Sequence, residues 1–354
     1  MALEQSHDNN EISDYIIGVG YIPTCCWGLK LAVCQGVSVT VFLKIIYSIG
    51  FCILLLGCGS DDNNSNTPEP DNSVGGPTEE EIIKIPVVVH VIYYNDETNI
   101  TTEKIESQIA VLNEDFRKLN ADYTQTPDEF LPLVADAGIE FELATIDPEG
   151  NDTDGITRTY SSEVDGWSGR NFEGDKTVEE LSLFFTDAGG QDAWPTDQYL
   201  NIWVADMSNH SGVFSLAGYA MPVGSDPRID GVVVETRVFG LHEPLMPYHS
   251  MGRTTTHEIG HWLNLNHIYG RGGKCDEDDG VSDTPIAENP SDGFPSYPRI
   301  SCGSVDNTMN FMDNQDDRAM YMFTLGQRER MRGVFKEGGG RHQFYLNSLT
   351  YFAE

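Results

Sequence analysis

The segment His257-Glu258-Ile259-Gly260-His261-Trp262-Leu263-Asn264-Leu265-Asn266-His267 reads H-E-x-x-H-x-x-N-x-x-H. On an α-helix, residues i and i+4 share one face, a turn apart. His257 and His261 can therefore both aim a ring nitrogen at one ion about 2.0–2.1 Å away, the distance zinc takes from imidazole. Glu258 is turned about 100° from His257 around the axis, which suits a base beside a metal better than a ligand on it. His267 lies six residues past His261, and a continuing helix would carry it about 240° off the shared face. It reaches the same ion only if the helix stops and the chain folds back. Asn264 stands where that stop is needed, and after Gly it is the residue most tolerant of the positive φ that helix stops use.

H-E-x-x-H alone is a signal of moderate weight. Histidine is 9 of 354 residues, so a third His at one set position is roughly a one-in-forty accident, which favours a real site. A structural zinc would be closed by four protein ligands, often Cys. Three candidates leave the fourth position for water, so the segment points to a catalytic zinc and to hydrolysis by metal-activated water.

The first 57 residues differ from the rest. Ile45 to Gly57 is an apolar run of 13 residues after Lys44, ending in Leu55-Leu56-Gly57-Cys58 and followed by Gly59-Ser60-Asp61-Asp62. A basic residue, an apolar stretch and a small residue before a cleavage point describe a secretory signal, and the run is short for a membrane span. Leu-Leu-Gly-Cys resembles a bacterial lipobox, with Cys58 as the lipidated first mature residue; plain secretion and an uncleaved anchor are the alternatives. The acidic residues after it resemble surface-export signals of Gram-negative lipoproteins. Glu4, Asp8, Glu11 and Asp14 precede Lys44, which places residues 1–40 outside any signal and predicts a true start near residue 38–43. Residues 58–81 are polar, acidic and rich in Pro, Gly, Ser and Asn, and read as a flexible tether.

Five of seven Cys (25, 26, 34, 52, 58) lie in the leader, leaving Cys275 and Cys302 in the body. Two Cys in an exported domain suggest one disulfide, worth about 3–4 kcal/mol by chain entropy, against the alternative of two reduced buried thiols. Removing residues 1–57 leaves 19 basic and 52 acidic residues, a net of −33. That acidity excludes a nucleic-acid footprint and fits solubility, calcium binding and cationic substrates.

Within 82–354, Ile85 to Tyr94 is a β-rich run suited to a buried strand. Residues 102–118 set Ile105, Ile109, Leu112 and Phe116 on one helical face. Ile139, Phe141 and Leu143 alternate with Glu140 and Glu142 as a half-buried strand. Leu200–Val204 and Gly231–Glu235 read as further strands. The histidine helix is expected from about Thr255, and a final helix from about Thr324 to Phe335. Mixed strands and helices over about 270 residues fit one α+β domain with two lobes around a cleft.

Several ordered segments together resemble a metzincin zinc protease of the pappalysin family, and within it the bacterial cytophagalysin-like members. They are Thr255–His267, Asp278-Asp-Gly-Val-Ser-Asp-Thr-Pro285, Asn310-Phe-Met-Asp313, Met320-Tyr-Met-Phe-Thr-Leu-Gly-Gln327, Val87-Val-Val-His-Val-Ile92 and Val111-Leu-Asn-Glu-Asp-Phe-Arg117. The resemblance covers Ile82 to about Phe335. It implies a twisted mixed sheet above the cleft, an active-site helix behind it, and a Met-turn with Met312 beneath the zinc ligands, Met309 being the competing candidate. It implies His257, His261 and His267 as zinc ligands and Glu258 as the catalytic base.

The same resemblance implies structural calcium after the third histidine, where Asp278, Asp279, Asp283 and Thr284 offer hard oxygens on a Gly-containing loop; an acidic surface loop is the alternative. It implies the Cys275–Cys302 pairing. Many members carry a Tyr two residues after the Met-turn methionine, thought to support the tetrahedral intermediate; here Asn314 stands there. Family habit and the acids Asp313, Asp316 and Asp317 hint at cleavage beside Arg or Lys; unspecific surface acids are the alternative. The expected function is an exported, monomeric zinc endopeptidase acting on proteins or peptides and touching a membrane only through a lipid anchor. The alternatives are a surface-anchored binding protein that keeps the protease fold without turnover, and a zinc hydrolase of other substrates.

Overall fold

The computed structural model describes residues 75–162, 167, 177–208 and 216–353; the leader, Cys58 and most of the expected tether lie outside them. The architecture grows from β1 (Ile83–Tyr93), an 11-residue strand buried over nearly its whole length. Ile83, Ile85, Val87, Val89 and Val91 point into the core beneath the helices. Ile92 points the other way, into a second cluster with Trp203 and Phe184. His90 is on that far face too, bonded through Nε2 to Asn201 Oδ1 at 2.9 Å and packed on Trp203. A strand covered on both faces needs apolar residues at both parities, which is why its sequence runs apolar without alternation.

β2 (Ile139–Leu143) and β3 (Ile156–Tyr160) pair in parallel with successive halves of β1 on one side. β4 (Leu200–Ala205) pairs in parallel on the other side, followed by β6 (Val232–Glu235). The short β5 (Gly218–Ala220) closes that edge antiparallel to β6. The order is β2-β1-β4-β6-β5, a mostly parallel mixed sheet. β3 is absent from the sequence reading because Ile-Thr-Arg-Thr-Tyr is half exposed along its length and carries little apolar signal.

α1 (Thr102–Phe116) starts at Thr101, whose hydroxyl accepts from the Lys104 amide at 3.2 Å. Ile105, Leu112 and Phe116 enter the main core. Asn113 bonds both main-chain groups of Phe141, at 3.0 and 2.8 Å, so a side chain satisfies the outer strand β2. α2 (Arg253–Trp262), the histidine helix, is buried at all ten positions and lies against α1, β5 and β6. It ends in a Schellman motif: the Leu265 amide donates to Gly260 O at 2.9 Å and the Asn264 amide to His261 O at 2.8 Å. Asn264 takes φ 72°, the left-handed conformation that reverses the chain.

α3 (Leu325–Gly333) opens with a capping box between Thr324 and Gln327. It is not the last helix. α4 (His342–Tyr351) follows, with only Phe344, Tyr345 and Ser348 buried, too narrow a stripe to stand out in sequence. The expected tether also ends earlier than residue 81. Arg332 donates to the carbonyls of Thr78 and Glu81, and Arg328 to that of Glu79, fastening this stretch to α3.

The Asn264 stop yields a measurable expectation. Asn264→Val should cost about 1–2 kcal/mol in urea unfolding, because a β-branched residue is strained at φ 72°, while Asn264→Gly should cost nothing. Equal losses in both variants would show that the Asn side chain, and not the conformation, matters.

Candidate metal centre

The reversal at Asn264 brings His267 back over the face that carries His257 and His261. The three Nε2 atoms stand 2.9–3.1 Å apart. His257 Nδ1 donates to the carbonyl of Phe311 at 2.6 Å, and His261 Nδ1 to that of Leu265 at 2.8 Å. With the proton held at Nδ1, a neutral imidazole presents only a lone pair at Nε2. Burial keeps the rings neutral: it lowers His257 to about 4, and His261 and His267 well below the ordinary histidine value. The lone pairs of His257 and His261 cannot hydrogen-bond each other, whereas a cation placed among the three Nε2 atoms could be bound by all of them. Three neutral nitrogens, with carbonyls orienting two of the rings from behind, suit zinc. Among the described residues this is the one group of three or more His, Cys, Asp or Glu gathered closely enough to hold a metal.

Glu258 is fully buried beside this trio, and burial pushes its carboxyl well above the usual range. Its two oxygens have no hydrogen-bond partner among the described residues. Met312 lies directly under the helix. A Cβ placed on Gly260 would fall within 2.4 Å of its sulfur, so the glycine inside the motif is what lets the methionine approach. The Met312 carbonyl accepts from the Ile268 amide at 3.2 Å, tying this turn to the residue after the third histidine. Met309 is elsewhere, packed with Phe130, Val134 and Met322.

Known proteins match this arrangement. The peptidase M43 family model, described as pregnancy-associated plasma protein-A, matches residues 186–336. Mature mirolysin of Tannerella forsythia, solved in complex with a cleaved peptide, is 41% identical. That match covers 78% of this chain and 99% of that one, with a TM-score of 0.68. The chain belongs to the pappalysin family. An extracellular metalloprotease of Arthroderma benhamiae is 26% identical over 254 residues, 70% of this chain and 76% of that protein. Extracellular metalloprotease 1 of Coccidioides posadasii is 44% identical over 93 residues, which span 26% of this chain and 33% of that protein. The fold is therefore the zincin-like one of metzincins, and the protein is a metalloendopeptidase with a catalytic metal and protein or peptide substrates.

Around the pappalysin site, the structure sorts the remaining candidates. Cys275 and Cys302 are bonded, S–S 2.01 Å. Asp279 and Thr284 meet, with the Thr284 hydroxyl 2.8 Å from each carboxylate oxygen, and burial pushes Asp279 up to about 7. Asp278 adjoins them, accepting from the Gly280 amide. Asp283 is turned away: its oxygens accept from Thr324 Oγ1 at 2.7 Å and the Gly326 amide at 2.8 Å, at the start of α3. Asn314 is half-buried, with its amide donating to Asp313.

Of the acids expected to favour basic substrates, all three are buried; Asp316 meets the exposed Arg318 at 3.4 Å, and the other two accept main-chain amides. Asp313 accepts from the Ser291 amide, and Asp317 from the amides of Met251 and Arg253 at the entry to α2. Spacing alone cannot show which way a carboxylate points.

Sequence reading missed three contributors. Phe311 and Leu265 act through main-chain carbonyls, which leave no mark on residue type. Tyr269 stacks on His267, ring centroids 4.7 Å apart and planes 11° apart. An aromatic residue two places after the third ligand was the available signal.

The start of α2 is held by a buried charge network. Arg253 grips Asp122 with two bonds of 2.6 and 2.8 Å and lies 3.5 Å from Asp115. Asp115 accepts the Thr256 hydroxyl at 2.8 Å. Burial pushes Asp115 up to about 7, against the pull of Arg253 and Thr256. A carboxyl raised from about 3.9 in the unfolded chain contributes stability that is full below pH ~4 and lost as pH rises through ~7. Asp115→Asn, which keeps an acceptor for Thr256, should escape that loss. Relative to the parent it should gain on the order of 3–4 kcal/mol between pH 4 and 7.5 in urea unfolding. A difference that does not change with pH would refute the raised value.

Proposed function

We propose that His257, His261 and His267 hold the catalytic zinc through Nε2 and that Glu258 moves the proton in peptide-bond hydrolysis. The observation that carries this reading is the convergence of three Nε2 atoms beside a buried carboxylate that has no hydrogen-bond partner among the described residues. Zinc bound there supplies Lewis-acid polarisation of the scissile carbonyl and acidifies water. Glu258 takes a proton from the attacking water at a carboxylate oxygen and passes it to the leaving amine nitrogen. Phe311 and Leu265 orient two imidazoles through their carbonyls, and Met312 packs against Gly260 of the same helix. Asn314, two residues past Met312, is the proposed support for the tetrahedral intermediate, and Asn314→Ala should lower kcat if so.

The protein is exported, as its extracellular relatives are. The proposed layout is a leader over 1–57, a lipidated Cys58 anchoring it to a Gram-negative outer membrane, a tether, and the protease domain to residue 354. The lipobox-like segment supports this, and mass spectrometry of the mature N-terminus tests it. Arg or Lys beside the cleaved bond is proposed from family resemblance and the acidity of the chain, and peptide-library profiling reads it directly. Calcium is proposed at the Asp278–Asp279 corner, where a divalent cation would relieve the crowding that burial imposes on Asp279.

Glu258→Ala should retain one zinc by elemental analysis and lose peptidase activity by at least about a hundredfold. Substantial residual turnover would remove Glu258 from the mechanism. EGTA, at a concentration that leaves zinc in place, should lower the melting temperature by several degrees, about 1–2 kcal/mol. An unchanged melting curve would argue against calcium.

A further inference from the structure

We infer that Gly218, in the edge strand β5, is a positioning residue for Glu258: its bare backbone is the wall that sets where the carboxylate sits. The inference rests on the role proposed for Glu258. A Cβ placed on Gly218 would stand 2.9 Å from Glu258 Cγ and 3.1 Å from Glu258 Oε1. Carbon atoms in favourable contact sit about 3.5–4.0 Å apart, so the strand and the glutamate already touch with nothing between them.

Two further observations make this contact matter. The ligand rings of His257 and His261 are fixed by hydrogen bonds to carbonyls. Glu258 has no such bond to either oxygen among the described residues. A side chain with three rotatable bonds and no hydrogen bond is placed by packing alone, and the surface it packs on selects its rotamer. The wall is also stiff. β5 is in register with β6 through Gly218↔Val234 and Tyr219↔Val233, and the Glu235 amide donates to Ala217 O at 2.8 Å.

Gly218 is not a glycine for conformational reasons, since its φ lies outside the left-handed region. A glycine within a strand instead marks close approach by another group, and here that group is the glutamate. A proton carrier works only within hydrogen-bond reach of its water, and a displacement near 1 Å can cost about a hundredfold.

The test is Gly218→Ala in the full chain, made in the parent and in Glu258→Ala. With zinc content unchanged, kcat of the single variant should fall about 10–100-fold with little change in KM. The added methyl would also meet Val233 O at 2.9 Å, a collision independent of the glutamate. The melting temperature separates the two. The drop caused by Gly218→Ala should be smaller in the Glu258→Ala background, where the obstructing side chain is gone; folding only in that background would be the extreme of the same result. An equal drop in both backgrounds, failure to fold in both, loss of zinc from the single variant, or a kcat within about twofold of the parent would overturn the inference. The melting comparison does not depend on turnover, so it stands apart from a failure of Glu258 as the proton carrier, which Glu258→Ala alone reveals.

Discussion

Three imidazole Nε2 atoms on buried residues are held within 3.1 Å of one another, two of them turned inward by carbonyls behind their rings. That convergence is the constraint on which the rest of this structure depends. Each ring must be neutral, must carry its proton on the far nitrogen and must be kept from turning away. The fold meets the first condition by burial and, for His257 and His261, the others with main-chain carbonyls, while the His267 ring is stacked on Tyr269. Leu265 serves His261 from the chain reversal itself, and Phe311 serves His257 from the Met312 turn. A helix stop and a remote turn thus do the work of orienting ligands, and the two are joined by the Ile268 amide on Met312 O.

A helix buried on every face is costly when it carries Arg253, three threonines, two histidines and a glutamate. Arg253, Thr255, Thr256, His257 and His261 draw partners from outside the helix. Gln108 in α1 bonds Gly252 O, the Gly240 amide and the Thr255 hydroxyl. Asp115 takes Thr256, and Asp122 takes Arg253. At the far end Arg341 lies over the Trp262 ring and bonds both Trp262 O and Asp230. Glu258 is the exception in this helix, and it is the group assigned to chemistry. Unsatisfied polar groups persist where function uses them.

The histidine spacing, the stop at Asn264 and the long apolar strand were legible because each follows from local geometry: 3.6 residues per turn, positive φ, and burial on both faces. The short strand β3 and the helix α4 were not, because both are half exposed and draw their stability from neighbours rather than from their own apolar pattern. That Asp313 and Asp317 are buried and turned onto amides was not legible for a related reason. Composition reports how many carboxylates are near in sequence, while the direction of each is decided by which amide it caps.

The sequence by itself pointed to the reaction class and to three candidate ligands, since helix geometry sets two histidines of H-E-x-x-H on one face and Asn264 marks where the chain can turn back to bring in the third. Only the tertiary structure decided how two of the rings are held, that Met312 packs against Gly260 of the histidine helix, that Asp283 caps a helix, and that a bare strand backbone at Gly218 abuts the Glu258 carboxylate. The physical reason is range. Spacing along a helix is fixed by covalent geometry over a few residues, whereas a carbonyl 54 residues away or a strand crossing 40 residues upstream enters the site only when the whole core closes.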